Sequence, residues 1–344
     1  MDAAAARRQL ELAREAEAGL NGPDAATWLE RLGASRDERE RAFGWFLEND
    51  RQRGLEMAAA LVAYWNTQAL YDEGRRWVEA LLARAPERTI ARAKALYAAG
   101  LMAFRQGETD QTQVLTEESL SIAREVDDPA TIVLALGGLA RVGLRTGDYE
   151  GVRKLTREAL AIAEREGDRA MRRLPLHCLA EATRLDGDYP AARALYKESV
   201  ALNRELGNDF MIPVELGNLG AVELHDGNLD EAQAYLDESV RLAHERGDLY
   251  VLPYALAGVG ELAAARRDWE RAATLLAATE GLFEASGSVM DPADVAPFDA
   301  AVSATRSALD GDPFAAAWSR GRALDADSAV DLALSQGARM SSRG

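Results

Sequence analysis

The sequence predicts an all-α fold, an α-solenoid of antiparallel helix pairs, and three recurrences predict it. Gly107, Gly147, Gly187 and Gly227 lie 40 residues apart, and a second series, Asp127, Gly167, Gly207, Gly247 and Gly287, falls halfway between them. Each break is followed by a residue able to accept the free amides of a new helix. These are Asp148, Asp188, Asn228 and Asp268 in one series and Asp128, Asp168, Asn208, Asp248 and Ser288 in the other. Glycine tolerates the left-handed conformation that ends a helix, and a short polar side chain starts the next. A stop and a start every 20 residues leave helices of roughly 15 residues, ~22 Å long.

The apolar and small residues keep the same period. Leu96, Leu136, Leu176, Leu216 and Leu256 are expected in the core of the first helix of each pair, and Leu115, Leu155, Leu195, Tyr235 and Leu275 in that of the second. Gly100, Ala140, Ala180, Gly220 and Gly260 recur where two helices would cross closely, as do Ala192, Ala232 and Ala272. A helix pair with one apolar face cannot bury it alone, so neighbouring pairs must stack into one continuous core. Five such units are expected over 91–287.

The unit carries Leu139-Ala140, Gly147-Asp148-Tyr149 and Ala159-Leu160. One period on it reads Leu179-Ala180, Gly187-Asp188-Tyr189, Ala192 and Ser199-Val200, then Leu219-Gly220, Gly227-Asn228-Leu229, Ala232 and Ser239-Val240. It resembles a tetratricopeptide repeat (TPR), and its 40-residue length is similar to the sensor arrays of bacterial NB-ARC-related STAND ATPase regulators. The resemblance implies a right-handed superhelix, and an N-terminal helical cap or linker at 1–50, around Trp28-Leu29, Phe43, Trp45 and Phe46. It also implies an opening helical pair at 51–90, with helices near 55–67 and 72–85 around Tyr64-Trp65 and Trp77. The tract from Phe314 to Leu334 is similar to the segment that closes those arrays. Capping helices are therefore expected at 288–336, where Asp325 or Asp327 can start a short helix whose Ala329, Val330 and Ala333 cover the last repeat. The polar tail at 337–344 is expected to be disordered. The regulators' phosphate-binding loop is not present, nor is a basic recognition helix.

Composition bounds the function. Lys and Arg number 40 against 57 Asp and Glu, a formal net charge of −17. Such a field repels phosphate backbones and anionic lipid, so neither direct nucleic-acid binding nor membrane association is expected. Arg7 and Arg8 followed by Glu11, Glu15 and Glu17 do not make an export signal, which predicts a cytoplasmic protein. Cys178 is the single cysteine, too few for a disulfide framework or a cysteine-cluster metal site. His177, His225 and His244 include no pair at i, i+4, and His177 and Cys178 are adjacent on a helix and point apart. No catalytic residue, cofactor or metal site is expected, and the chain reads as a non-enzyme.

In TPR arrays the first helix of each pair lines a concave groove. Register carries that role here to Tyr97, Leu101 and Phe104, then Arg141 and Arg145, then His177, Glu181 and Arg184, then Asn218 and His225, then Tyr254, Ala257 and Glu261. Asn218 matches the asparagine that holds a backbone or terminal carboxylate in peptide-binding TPR domains, but the Lys and Arg of the carboxylate clamp are not reproduced. Arg141 with Arg145 can pair an acidic side chain or a phosphate; the plainer alternative is two surface arginines bridged to neighbouring helices. The expected function is a protein- or peptide-binding TPR scaffold, the sensor part of a bacterial regulatory system, with a STAND-type ATPase or DNA-binding protein as partner. The alternative is a small-molecule effector sensor controlling such a partner.

Overall fold

A computed structural model describes residues 1–335; the tail expected at 337–344 lies outside the described residues, as does the last residue of the expected cap. Among the described residues the chain forms nineteen α-helices, one short 3-10 turn and no strand. It divides into two compact units. The first comprises Met1–Gly187 with Leu202–Asp209, and the second Asp188–Ala201 with the chain from Phe210 on.

The first unit opens with α1 (Ala3–Gly19), α2 (Ala25–Ala34), α3 (Arg36–Asn49), α4 (Arg51–Ala60), α5 (Val62–Thr67) and α6 (Tyr71–Arg84). The single helix expected near 55–67 is thus two, broken at Leu61, whose amide is shared between Met57 O at 3.2 Å and Ala58 O at 3.3 Å. Such three-centre bonding tightens and ends a helix. Leu10, Phe43, Phe46, Leu55, Trp65 and Leu81 form its core. Phe43 stacks between Trp65 and Trp77, with ring centroids 6.0 and 5.1 Å away. Two hairpins follow, α7 (Ile90–Arg105) with α8 (Thr109–Glu125) and α9 (Pro129–Thr146) with α10 (Tyr149–Glu166); then come a 3-10 turn at Arg169–Arg172 and α11 (Arg173–Leu185). Leu96, Ile122, Val133, Leu136 and Ala159 join the two hairpins in one core.

After α12 (Tyr189–Glu205), the second unit holds the hairpins α13 (Ile212–Asp226) with α14 (Leu229–Glu245) and α15 (Val251–Ala265) with α16 (Trp269–Ser286). It ends on α17 (Pro292–Leu309), α18 (Gly311–Arg322) and α19 (Ala326–Leu334). Ala329, Val330 and Ala333 of α19 enter the core made by Leu236, Leu252, Leu256 and Leu275. The Asp325 carboxylate caps α19 by accepting from Ser328 N at 2.9 Å, whereas Asp327 meets His244 Nε2 at 2.8 Å.

Several breaks work as their chemistry demands, although the side chains of Asn228 and Asp268 accept no bond from the helices they begin. Gly147 and Gly227 sit at φ +79° and Gly167 and Gly287 at +67° and +64°. Asp128 accepts from Thr131 N, Asp148 from Gly151 N and Asp188 from Ala191 N, at 2.9, 2.9 and 3.1 Å. Four starts are late: α11, α13, α15 and α17 begin at Arg173, Ile212, Val251 and Pro292 rather than directly after Asp168, Asn208, Asp248 and Ser288. Proline fits the first helical turn and is costly further in. Earlier starts would place Pro175 and Pro213 inside the helices, where their missing N–H groups and rings break the ladder.

The first-helix register holds: Leu96, Leu136, Leu176, Leu216 and Leu256 are buried. The second-helix register is off by one. Leu115, Leu155, Leu195 and Tyr235 are only half-buried, and the buried line is the next residue along, Thr116, Thr156, Tyr196, Leu236 and Leu276, with Leu275 buried as well. The glycines of the first helices explain it. A Cβ on Gly100 would lie 2.8 Å from Thr116 Oγ1, one on Gly220 2.6 Å from Leu236 Cγ, and one on Gly260 2.9 Å from Leu276 Cγ. In these three hairpins the glycine is the socket for that later residue, so close backbone approach sets which second-helix face turns inward there.

Candidate functional site

In the first unit the first helices of the hairpins stand side by side as a layer. Leu174 packs over Gly137, where a Cβ would come within 2.3 Å of Leu174 Cδ2, and buried Cys178 turns its Sγ to Gly137 O at 3.8 Å. Residues one period apart on this layer share an environment: Leu101, Arg141 and Glu181 are all half-buried.

Tyr97 and Phe104, expected to line a groove, are buried, because α7 is covered by α4, α6, α8 and α9. Their place is beneath the arginines of the next helix. Arg141 Nη1 donates to the Tyr97 hydroxyl at 3.3 Å, and Arg145 Nη1 donates to Phe104 O at 2.7 Å. The Arg145 guanidinium lies 3.7 Å from the centroid of the Phe104 ring, and that of Arg105 5.6 Å away. A ring face attracts cations, so Phe104 holds both guanidiniums in place. Arg105 Nε donates to Asn66 Oδ1 at 2.9 Å, and both residues are buried. On α11, half-buried His177 stands one turn before Glu181, which pairs with Arg184 at 2.9 Å. The structure therefore brings Tyr97 with Arg141, Phe104 with Arg145, and Glu181 with Arg184. Arg105 and Asn66 escaped the sequence reading, although Arg105 stands one 40-residue period before Arg145.

In the second unit the candidates are dispersed. Asn218 and Glu261 are half-buried on α13 and α15. His225 is exposed and stacks on Tyr189 at 3.6 Å between centroids, the planes 13° apart. Beside it Arg193 bridges Glu223 at 2.7 Å and also Asp226, and these partners hold its guanidinium charged well above the ordinary arginine range. Burial pushes the Glu223 carboxyl up, but the bonds from Arg193 and Asn228 outweigh it and leave the group below the usual range. Tyr254 meets the Phe283 ring edge-on at 5.0 Å. Its hydroxyl accepts from Asp291 N at 3.2 Å and donates to Val289 O at 3.4 Å, so it anchors the loop that leads into α17.

Guanidiniums fixed on an aromatic ring and on backbone or side-chain oxygens present planar donor forks, suited to carboxylates and carbonyls. Among the described residues no three His, Cys, Asp or Glu side chains stand where they could hold a metal ion, and no helix is long and apolar enough to cross a membrane.

Neither a protein-family model nor a curated protein sequence matches the chain. Solved structures do match. A Rap protein complexed with Competence and Sporulation Factor is similar at TM-score 0.54 and 14% identity over 83% of this chain and 86% of that one. NprR in complex with its cognate peptide NprX is similar at TM-score 0.53 and 12% identity, over 93% of this chain and 89% of that one. Aspartyl phosphate phosphatase F from Bacillus subtilis follows at TM-score 0.50 and 12% identity, over 83% and 81%. These likenesses show the TPR-like α-solenoid fold.

Proposed function

We propose that this chain is a non-enzymatic regulatory scaffold that takes a peptide or an extended protein segment on the first helices of its repeats. The observation that carries the reading is the first-unit layer of α7, α9 and α11. There, half-buried polar and charged side chains recur one period apart, and Arg141 and Arg145 are braced on a buried tyrosine and a buried phenylalanine. Helical repeats present such layers as extended binding surfaces. The likeness to NprR, solved with its cognate peptide, supports the same use of the fold.

The side-chain inventory supports a binding rather than a catalytic role. His225 is engaged in a ring stack and His244 with Asp327, and Cys178 is packed in the core. As the finer reading, the peptide-dependent state is passed in the cytoplasm to a separate regulator, a STAND-type ATPase or a DNA-binding protein. The 40-residue period supports this, being the feature shared with the sensor arrays of such regulators.

The test is capture of small peptides by the full chain. Immobilised protein is incubated with the low-molecular-weight peptide fraction of the source cells, and retained species are identified by mass spectrometry. A discrete set of peptides is expected, and Arg141→Ala with Glu181→Ala should abolish its retention while leaving the thermal midpoint nearly unchanged. Retention of nothing by the native chain, or retention indifferent to both substitutions, would overturn the reading.

A further inference from the structure

The second unit carries most of the chain's negative charge. Its described residues hold 10 Lys and Arg against 24 Asp and Glu, whereas those of the first unit hold 28 against 33. Both members of every ion pair are in these totals, so the imbalance stands however the groups are bonded. Residues 272–305 contain no Lys or Arg. Arg306, the next cation along the chain, lies over the Phe314 ring at 4.8 Å, and Arg320 and Arg322 are turned to Glu270 and Glu284 of α16.

One helix of this unit is left open. α17 packs on α15, α16 and α18, while α19 folds back onto α14, α15 and α16. Eleven of the 15 residues of α15 are buried, but only Phe298 and Thr305 of the 18 in α17. Among the described residues nothing covers its outer side. Ala296, Ala300, Ala304 and Ala308 recur there at i, i+4 and are all exposed. At the same end of the helix Val295 is 37% exposed and Val289, in the loop held by Tyr254, is 42% exposed. Asp299 stands exposed midway along the helix.

We infer that the open face of α17 is the docking site for an amphipathic helix of a partner protein, one whose apolar side is flanked by Lys and Arg. A face with few long side chains lets a second helix approach closely, ridge into groove. Covering Val289 and Val295 at the same time removes apolar surface from water. Charge selects the occupant. A second copy of this chain would set one acidic unit against another, and like charges across an interface cost affinity. A nucleic acid or an anionic membrane is repelled for the same reason. A cationic helix is drawn in by the field of the unit and meets Asp299 on the face itself. The site belongs to the second unit and stands independently of the peptide layer on the first.

The experiment uses the full chain and three fluorescently labelled helical peptides as long as α17, with a common Leu/Ala face and a polar face of Lys/Arg, Gln or Glu. Binding is followed by anisotropy at low and high salt. The basic peptide should bind about tenfold more tightly than the neutral one, less so at high salt, and the acidic one least. Ala300→Gln with Ala304→Gln adds bulk to the face and no charge, and should weaken the basic and neutral peptides alike by about tenfold. Asp299→Asn should reduce the preference for the basic peptide. Glu231→Gln with Glu245→Gln, which removes two exposed charges from α14, should leave it intact. Thermal unfolding of each variant should match that of the native chain. A basic preference that survives the Ala300/Ala304 pair, or falls as far in the α14 control as in Asp299→Asn, is diffuse attraction and overturns the proposal. Binding of no peptide, or tightest binding of the neutral or acidic one, also overturns it. A dimer in sedimentation that the Ala300/Ala304 pair dissolves assigns the face to a second copy instead. Affinity that rises when Arg339 and Arg343 are changed to Gln assigns it to this chain's own end; either result removes the partner helix. Capture of small peptides by the first unit is a separate measurement, so each reading can fail without the other.

Discussion

Leu236 offers a sharp test of how the repeats pack. It is buried on α14 and sits between two glycines of the first helices. A Cβ on Gly220 of α13 would lie 2.6 Å from its Cγ, and one on Gly258 of α15 2.5 Å from its Cδ2. Gly217, on the same helix as Gly220, has its nearest neighbour, Ser239 Oγ, at 3.6 Å, an ordinary contact. Replacing either α13 glycine by alanine improves helix propensity by about 1 kcal/mol, so that gain cancels when the two variants are compared. Gly220→Ala must in addition displace a leucine that is blocked on its other side by α15, an overpacking cost of about 1–3 kcal/mol. Gly217→Ala should therefore stabilise by about 1 kcal/mol and Gly220→Ala fall below it by about 1–3 kcal/mol. Leu236→Ala alone should cost about 2–5 kcal/mol through its cavity. In that background the clash is gone, so Gly220→Ala should become neutral or stabilising by about 1 kcal/mol. Urea unfolding followed by far-ultraviolet circular dichroism measures all four. Gly220→Ala as stable as Gly217→Ala, or additive with Leu236→Ala, would refute the socket argument and with it the register of the hairpins.

Three further outcomes are expected. Arg267 occupies a glycine position of the 40-residue series at φ +61°, a left-handed conformation costing a side chain about 1–2 kcal/mol; Arg267→Gly should raise the urea midpoint, and Gly227→Ala, at φ +79°, should lower it. Burial pushes the Asp237 carboxyl above its ordinary value, against the Gln233 bond and three nearby arginines. The folded state then binds its proton more tightly than the unfolded chain, and stability is lost as pH rises from the unfolded to the folded value. Asp237→Asn should thus be more stable than the native chain at neutral pH, with the advantage fading as pH falls through that window, as read from unfolding curves across the acid range. Arg271 donates to Ala333 O at 2.6 Å in a buried setting and so holds the C-terminal end of α19. Arg271→Ala should cost about 1–3 kcal/mol and speed amide exchange in 326–334 well before it affects α13.

The sequence by itself determined the helices and their punctuation. Left-handed glycines and amide-accepting Asp side chains act within one or two turns, so Gly147-Asp148 and its sisters mean the same thing in any context, and the apolar line from Leu96 to Leu256 marks a buried face wherever the helix lies. Tertiary structure decided what depends on two helices meeting. The inward face of the second helices is set by the glycine sockets at Gly100, Gly220 and Gly260, which moved the core from Leu115 to Thr116 and from Tyr235 to Leu236. Pro175 and Pro213 delayed two helix starts that local capping placed earlier. The layer of candidate residues divided in the same way. A periodic position names a helix face, but whether its side chain reaches solvent depends on the depth of the neighbours. Phe104 and Tyr97 are buried supports and Tyr254 ties a loop, whereas Arg141 and Arg145 are aimed by contacts with residues some 40 positions away. Those contacts are non-local, and no window of the chain contains both partners.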